Sequence, residues 1–175
     1  FTGQHFDRQH LTLPAYRQIK EYLNTNFFFI SPKEDYRLDT ILEKARFLVR
    51  RRGIKCLVID PYNRLEDESD GHNETKYISK QLDRLTNFAQ RNDVMVILMA
   101  HPTKQSKNKD GVIEAPTLYD ISGSAHFYNK TDFGIVVHRN RIDNTVEVHV
   151  QKVKFRHLGE CGTALFKYNL NNGRY

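Results

Sequence analysis

Asp60 closes a run of four consecutive apolar residues, Cys56-Leu57-Val58-Ile59. A carboxylate at the carboxyl end of a buried strand stands where ligands bind in doubly wound sheets. A second apolar run, Val94 to Ala100, leads into His101-Pro102. Imidazole at a strand end can hydrogen-bond a phosphate oxygen and report its presence. Ten residues then carry Lys104, Lys107 and Lys109 with no apolar periodicity, which suits contact with a polyanion backbone. The small residues of Asp120-Ile121-Ser122-Gly123-Ser124-Ala125 let backbone N–H groups approach phosphates closely. Near the end stands Lys154-Phe155-Arg156, followed by Gly159 and Gly162. It reads as two cations on one face of a strand, where an arginine can stabilise a transferring phosphoryl group.

Each feature also suits a plainer role. Asp60 before Pro61 can be a turn former, and His101 can cap a loop. The lysines can belong to a solvated loop, and the Ser-Gly-Ser segment can be a turn before a helix. Lys154 and Arg156 can protect an exposed edge strand from aggregation. His5, Asp7 and His10 are too irregularly spaced for a metal motif.

The elements that must position these residues follow from periodicity. The pattern predicts a helix from Pro14 to about Leu23 and a short strand at Phe27–Ile30. A second helix is expected from Leu38 to about Arg51, with Ile41, Leu42, Ala45, Leu48 and Val49 on its apolar side and Gly53 ending it. Lys55–Asp60 and Val94–Met99 read as strands buried on both faces. Glu74–Arg91 is the clearest amphipathic helix, with Tyr77, Ile78, Leu82, Leu85, Phe88 and Ala89 on one side. Three later strands are expected at Phe133–Val137, Val146–Phe155 and Ala164–Tyr168. The fold class is therefore α/β, with a parallel core and antiparallel C-terminal strands.

The chain has 175 residues and 20.6 kDa, enough for one domain. Hydrophobic residues make up 39% and charged residues 27%, which excludes collagen-like and disordered acidic classes. No apolar run approaches the roughly 20 residues of a membrane span. Lys and Arg total 27 against 21 for Asp and Glu, a net +6 with pI near 9.3. That balance is compatible with a nucleic-acid partner. Cys56 and Cys161 form no metal-like spacing, so a reducing interior is expected.

Taken in order, the segments Leu57-Val58-Ile59-Asp60, Leu98-Met99-Ala100-His101-Pro102, Ile121-Ser122-Gly123-Ser124, Val137-His138-Arg139-Asn140 and Lys154-Phe155-Arg156 resemble the hexameric replicative DNA helicases. That family includes the DnaB-like, phage primase-helicase and Twinkle-like proteins. The resemblance covers residues 38 to 170. It implies a RecA-like sheet, ATP and Mg²⁺ as cofactors, and a homo-hexameric ring acting on single-stranded DNA at a replication fork. A primase domain or partner is implied as possible company, and no membrane.

The resemblance also implies roles. Asp60 matches the Walker B aspartate that holds Mg²⁺ through water, and His101 the γ-phosphate sensor. Lys104, Lys107 and Lys109 fall in the first DNA loop; Ser122, Gly123 and Ser124 fall in the second, where phage members often carry Arg in place of Ser122. Arg156 matches the arginine finger, Lys154 its companion cation, and Arg139 and Tyr168 the positions flanking the nucleotide base.

The family's phosphate loop, G-x-x-x-x-G-K-[ST], is missing: none of the nine glycines precedes Lys-Ser or Lys-Thr. No strand carrying a catalytic glutamate precedes the Pro14 helix. With Phe1 in place of a starting Met, this predicts a single partial domain, 1–175, with the phosphate loop upstream and no activity in the segment alone. The expected compartment is the cytoplasm of a bacterial or phage-infected cell rather than an organellar matrix. Three rival readings are a non-hydrolytic RecA-like nucleic-acid-binding module, a recombinase-like ATPase, and a metal-dependent nuclease using Asp60. The acidic-x-Lys strand pair of the last is not evident, because Glu147 precedes Val148-His149.

Overall fold

A computed structural model of the chain describes residues 12–32, 35–65, 74–103, 113–121, 125–140, 143, 145–170 and 173–175. Helix α1 (Leu13–Asn26) starts at Thr12, whose hydroxyl accepts from the Ala15 N–H, with Pro14 in the first turn. Helix α2 (Leu38–Arg52) ends at Gly53 in the left-handed conformation, φ 65°, which glycine adopts without steric cost. Arg50, Arg51 and Arg52 lie in its last turn, where cations complement the helix dipole. Strand β1 (Cys56–Ile59), helix α3 (Glu74–Asn92) and strand β2 (Met95–Leu98) follow. Then come the short helix α4 (Ala125–Lys130) and strands β3 (Phe133–Asn140), β4 (Thr145–Val153) and β5 (Gly162–Lys167).

The α/β class holds, as two hydrogen-bonded units. β1 and β2 form a parallel pair, with Ile59 opposite Leu98. β3, β4 and β5 form an antiparallel meander in chain order. The core lies on one side of the parallel pair: Leu57 and Ile59 meet Leu38, Leu42 and Ala45 of α2 and Ile78, Leu82, Leu85 and Phe88 of α3. Phe127 of α4 enters the same cluster and ties the meander's start to it.

Two expectations fail for the same reason. The strands are not buried on both faces: Val58, Met95, Ile97 and Met99 are all exposed. Helices α2 and α3 cover one face of a two-stranded pair, and among the described residues no element covers the other. Phe27–Ile30 forms no strand, with Phe29 at 92% exposure. A strand needs a neighbour for its backbone groups, and the described chain presents none there.

A third correction concerns Lys154 and Arg156. β4 stops at Val153, and Arg156–Leu158 turns as a short 3-10 segment. The two cations therefore do not share a strand face. The Lys154 N–H donates to the Asp132 carbonyl, one position beyond the Phe133–Val153 pair that ends the strand.

Candidate functional site

Parallel pairing decides where Asp60 and His101 stand. Because Ile59 and Leu98 are register partners, both chains leave the pair at the same edge. The exits are bonded to each other. Met99 N–H donates to the Ile59 carbonyl at 2.9 Å, and Tyr62 N–H to the Met99 carbonyl at 2.7 Å. The Asn63 side chain accepts from the His101 N–H at 3.1 Å. Tyr62 packs edge-on against Phe127, 5.2 Å between ring centres. Both exits are thus fixed by the core, while the Asp60 and His101 side chains are exposed. Among the described residues, no hydrogen bond or ion pair occupies the Asp60 carboxylate. A free hard-oxygen ligand of this kind fits a Mg²⁺ that keeps most of its waters and borrows nucleotide phosphates.

Two residues beyond His101, the chain is clamped to a distant segment. Pro102 bridges Ile121, and Thr103 donates to the Asp120 carbonyl from its N–H at 2.8 Å and its hydroxyl at 2.9 Å. The segment carrying Lys104, Lys107 and Lys109 leaves from Thr103, and the one carrying Ser122, Gly123 and Ser124 leaves from Ile121. Those six residues lie outside the described residues, as do His5, Asp7 and His10. Their roots, however, share one junction.

That junction is braced. Thr117 and Asp120 form a reciprocal cap around the 3-10 turn Leu118–Asp120. Gln151 of β4 accepts from the Leu118 N–H at 3.0 Å and donates to the Pro116 carbonyl at 2.9 Å. Gly134 lets Leu118 lie directly on β3, since a Cβ there would meet a Leu118 methyl at 2.1 Å.

The remaining candidates sit on the meander. Arg139 is exposed on β3, opposite Val146, which in turn faces Phe166 of β5. Tyr168 follows β5 at the same end, its ring 5.1 Å from Tyr175. Arg156 is exposed beyond the other end of β4. The nine residues of β4 span about 27 Å at a strand's usual rise, so Arg156 and the Arg139–Tyr168 pair are far apart. Lys154 is paired with Asp132 at 2.7 Å, whereas no ion pair engages Arg156 among the described residues.

The chain as a whole has counterparts among known proteins. A match to the family described as DnaB-like helicase C terminal domain spans residues 4–175. The chain belongs to that family. The DnaB-like C-terminal fold is RecA-like, which accounts for the parallel pair followed by antiparallel strands. Among curated relatives, the chain is 41% identical to the Arabidopsis thaliana "Twinkle homolog protein, chloroplastic/mitochondrial" over 95% of its length. It is 26% identical to the "DNA helicase/primase" of Enterobacteria phage T3 over 77% of its length. In both cases it spans 24% of the relative.

Within this DnaB-like segment, sequence reading missed the residues that hold the site together. Asn63, Gln151 and Asp132 act through pairings 38, 33 to 35 and 22 residues away in the chain, which no local pattern reveals. Thr117-x-x-Asp120 did carry a signal, the spacing of a helix-start cap.

Proposed function

We propose that this chain is the later part of the motor domain of a replicative DNA helicase, which couples ATP hydrolysis at the subunit interfaces of a hexameric ring to unwinding of DNA. The observation that carries the reading is the short path from His101 to the shared root of two segments. A phosphate-sensing side chain three residues from Lys104 can transmit the state of a nucleotide directly to a DNA-contacting loop. Membership of the DnaB-like family supports it, as do the helicase and primase names of the phage relative.

Asp60 would hold the nucleotide's Mg²⁺ through water, and His101 would contact the terminal phosphate. The metal would neutralise charge developing on the phosphates. The distance between Arg156 and the Arg139–Tyr168 end of the meander supports assigning them to different nucleotides. Arg156, with Lys154 beside it, acts on a neighbouring subunit's ATP, and Arg139 and Tyr168 flank the base. Lys104, Lys107, Lys109, Ser122, Gly123 and Ser124 line the DNA path. A primase domain or partner accompanies the motor.

The phosphate loop and catalytic glutamate belong, in this reading, to chain preceding Phe1. The exposed apolar face of β1–β2 and the exposed Phe27 and Phe29 support that, since apolar surface of this kind is covered in a finished domain. The plant relative's organellar name weighs toward an organellar matrix over the bacterial or phage-infected cytoplasm, and localisation of the tagged protein decides between them.

The test has two arms. The 175-residue segment alone should neither bind ATP tightly nor hydrolyse it; Mg-ATP turnover abolished by Asp60→Ala would refute the placement of the phosphate loop. In the full-length protein, replacing Lys104, Lys107 and Lys109 together should weaken single-stranded DNA binding and flatten its salt dependence. Unchanged binding would count against the channel-loop role.

A further inference from the structure

Tyr119 stands on the braced turn between the two segment roots, yet the residue is 54% exposed. It is stacked on Tyr128 of α4, ring centres 4.6 Å apart and planes at 21°. Lys152 of β4 places its ammonium 4.8 Å from the Tyr128 ring centre. The same ammonium donates to the Tyr128 and Asn129 carbonyls, which fixes it beside the stack. The chain thus builds a two-ring pile with a cation against it and leaves Tyr119 exposed to solvent.

The mounting is rigid. Asp120 accepts from the Thr117 N–H at 2.6 Å and hydroxyl at 2.9 Å, its carbonyl takes both Thr103 donors, and Leu118 is held by Gln151 and buried on Gly134. Such bracing is more than a solvated turn needs. Aromatic rings beside cations are what single-stranded nucleic acid uses, because every base has a face that stacks. An aromatic fixed before binding also loses little side-chain freedom when it is covered.

We propose that Tyr119, backed by Tyr128 and Lys152, is a base-stacking platform for single-stranded DNA. The inference rests on the DNA-binding reading above and adds a contact of a different kind. The lysines hold phosphates, which gives salt-dependent affinity, while Tyr119 holds a base and contributes affinity that salt leaves nearly untouched. Stacking tolerates any base, so the platform grips the strand without reading its sequence.

The experiment measures binding of oligo-dT to the full-length protein by fluorescence anisotropy across a salt series. Tyr119→Ala should weaken binding by roughly 5- to 100-fold per stacked base with the salt slope unchanged. Tyr119→Phe, which keeps the ring, should bind like the unaltered protein and controls for folding. Oligo-dT carrying 5-iodouracil should photocrosslink to the peptide containing Tyr119. Unchanged affinity of Tyr119→Ala at every salt concentration, with DNA still bound, overturns the platform alone. Altered ring assembly with unaltered DNA affinity also overturns it and makes Tyr119 a protein contact. No DNA binding by the unaltered protein overturns the underlying reading as well.

Discussion

The parallel pair and the antiparallel meander hold their candidate residues in opposite ways. Asp60 and His101 project from strand ends that the core itself fixes, through Leu57, Ile59 and the bonds among Ile59, Met99, Tyr62 and Asn63. Arg156 projects from a turn on a meander whose last strand, β5, is exposed along its whole length. One set of candidate residues is anchored by burial, the other mainly by a hydrogen-bonded ladder and local pairings. Burial suits groups that must keep a fixed distance from each other. A ladder end suits a group that must reach away from its own core, as a finger does.

The widest separation of the two regions should come from Arg156→Ala in the full-length protein. Loss of an arginine finger lowers turnover on the order of 10³-fold or more. Mixing that variant with an Asp60→Ala variant should restore part of the activity, because mixed rings contain interfaces with both residues intact. No recovery would mean that Asp60 and Arg156 of one subunit act on the same ATP, and would remove the contrast.

The next effect concerns stability. Phe88 is 4% exposed in the core on the parallel pair, whereas Leu165 on β5 is 66% exposed. Phe88→Ala should cost about 3–5 kcal/mol, and Leu165→Ala within about 0.5 kcal/mol, by urea titration. Equal losses would mean that the meander is as deeply anchored as the core.

Gly134→Ala lies where the meander meets the braced turn. Its new Cβ must push Leu118 aside, so a loss of about 1–3 kcal/mol is expected in the same titration. A neutral result would show that the Leu118 side chain swings away freely and that the turn is not pinned from below.

The smallest effect lies at the start of α2. Arg37, by side-chain and backbone hydrogen bonds, and Thr40, through its hydroxyl, hold the Asp35 carboxyl well below the usual carboxylate range. A carboxyl with a depressed folded-state pKa stabilises the fold above its unfolded value. That contribution, present above about pH 4, is lost as pH falls through the lower folded value. Thermal melts between pH 5 and 2 should show a slightly shallower acid loss for Asp35→Asn than for the unaltered chain. Identical acid profiles would show that this turn adds nothing to the core-anchored half.

Much of this was legible in the chain. Apolar runs ending in Asp60 and His101 mark strand ends, and the 3.6-residue apolar spacing of α2 and α3 marks the faces that bury them. Gly53 stops α2 as its backbone freedom predicts. The order of the short motifs points to the helicase family, and the family match bears that out. The strand expected at Phe27–Ile30 shows the limit. An apolar extended run states a preference, but a strand exists only when a second backbone supplies its partners.

Sequence by itself determined helices α1 to α3, the ends of β1 and β2 and the types of group available for chemistry, because these depend on residues within one or two turns. Only the tertiary structure decided which groups share an edge or a junction. Parallel pairing put Asp60 and His101 on one rim, and the Pro102–Ile121 bridge joined two roots nineteen residues apart. The end of β4 at Val153 took Lys154 and Arg156 off the strand, and the packing of α4 against the turn stacked Tyr119 on Tyr128. These are outcomes of hydrogen bonds and packing between segments distant in the chain, which local spacing does not encode.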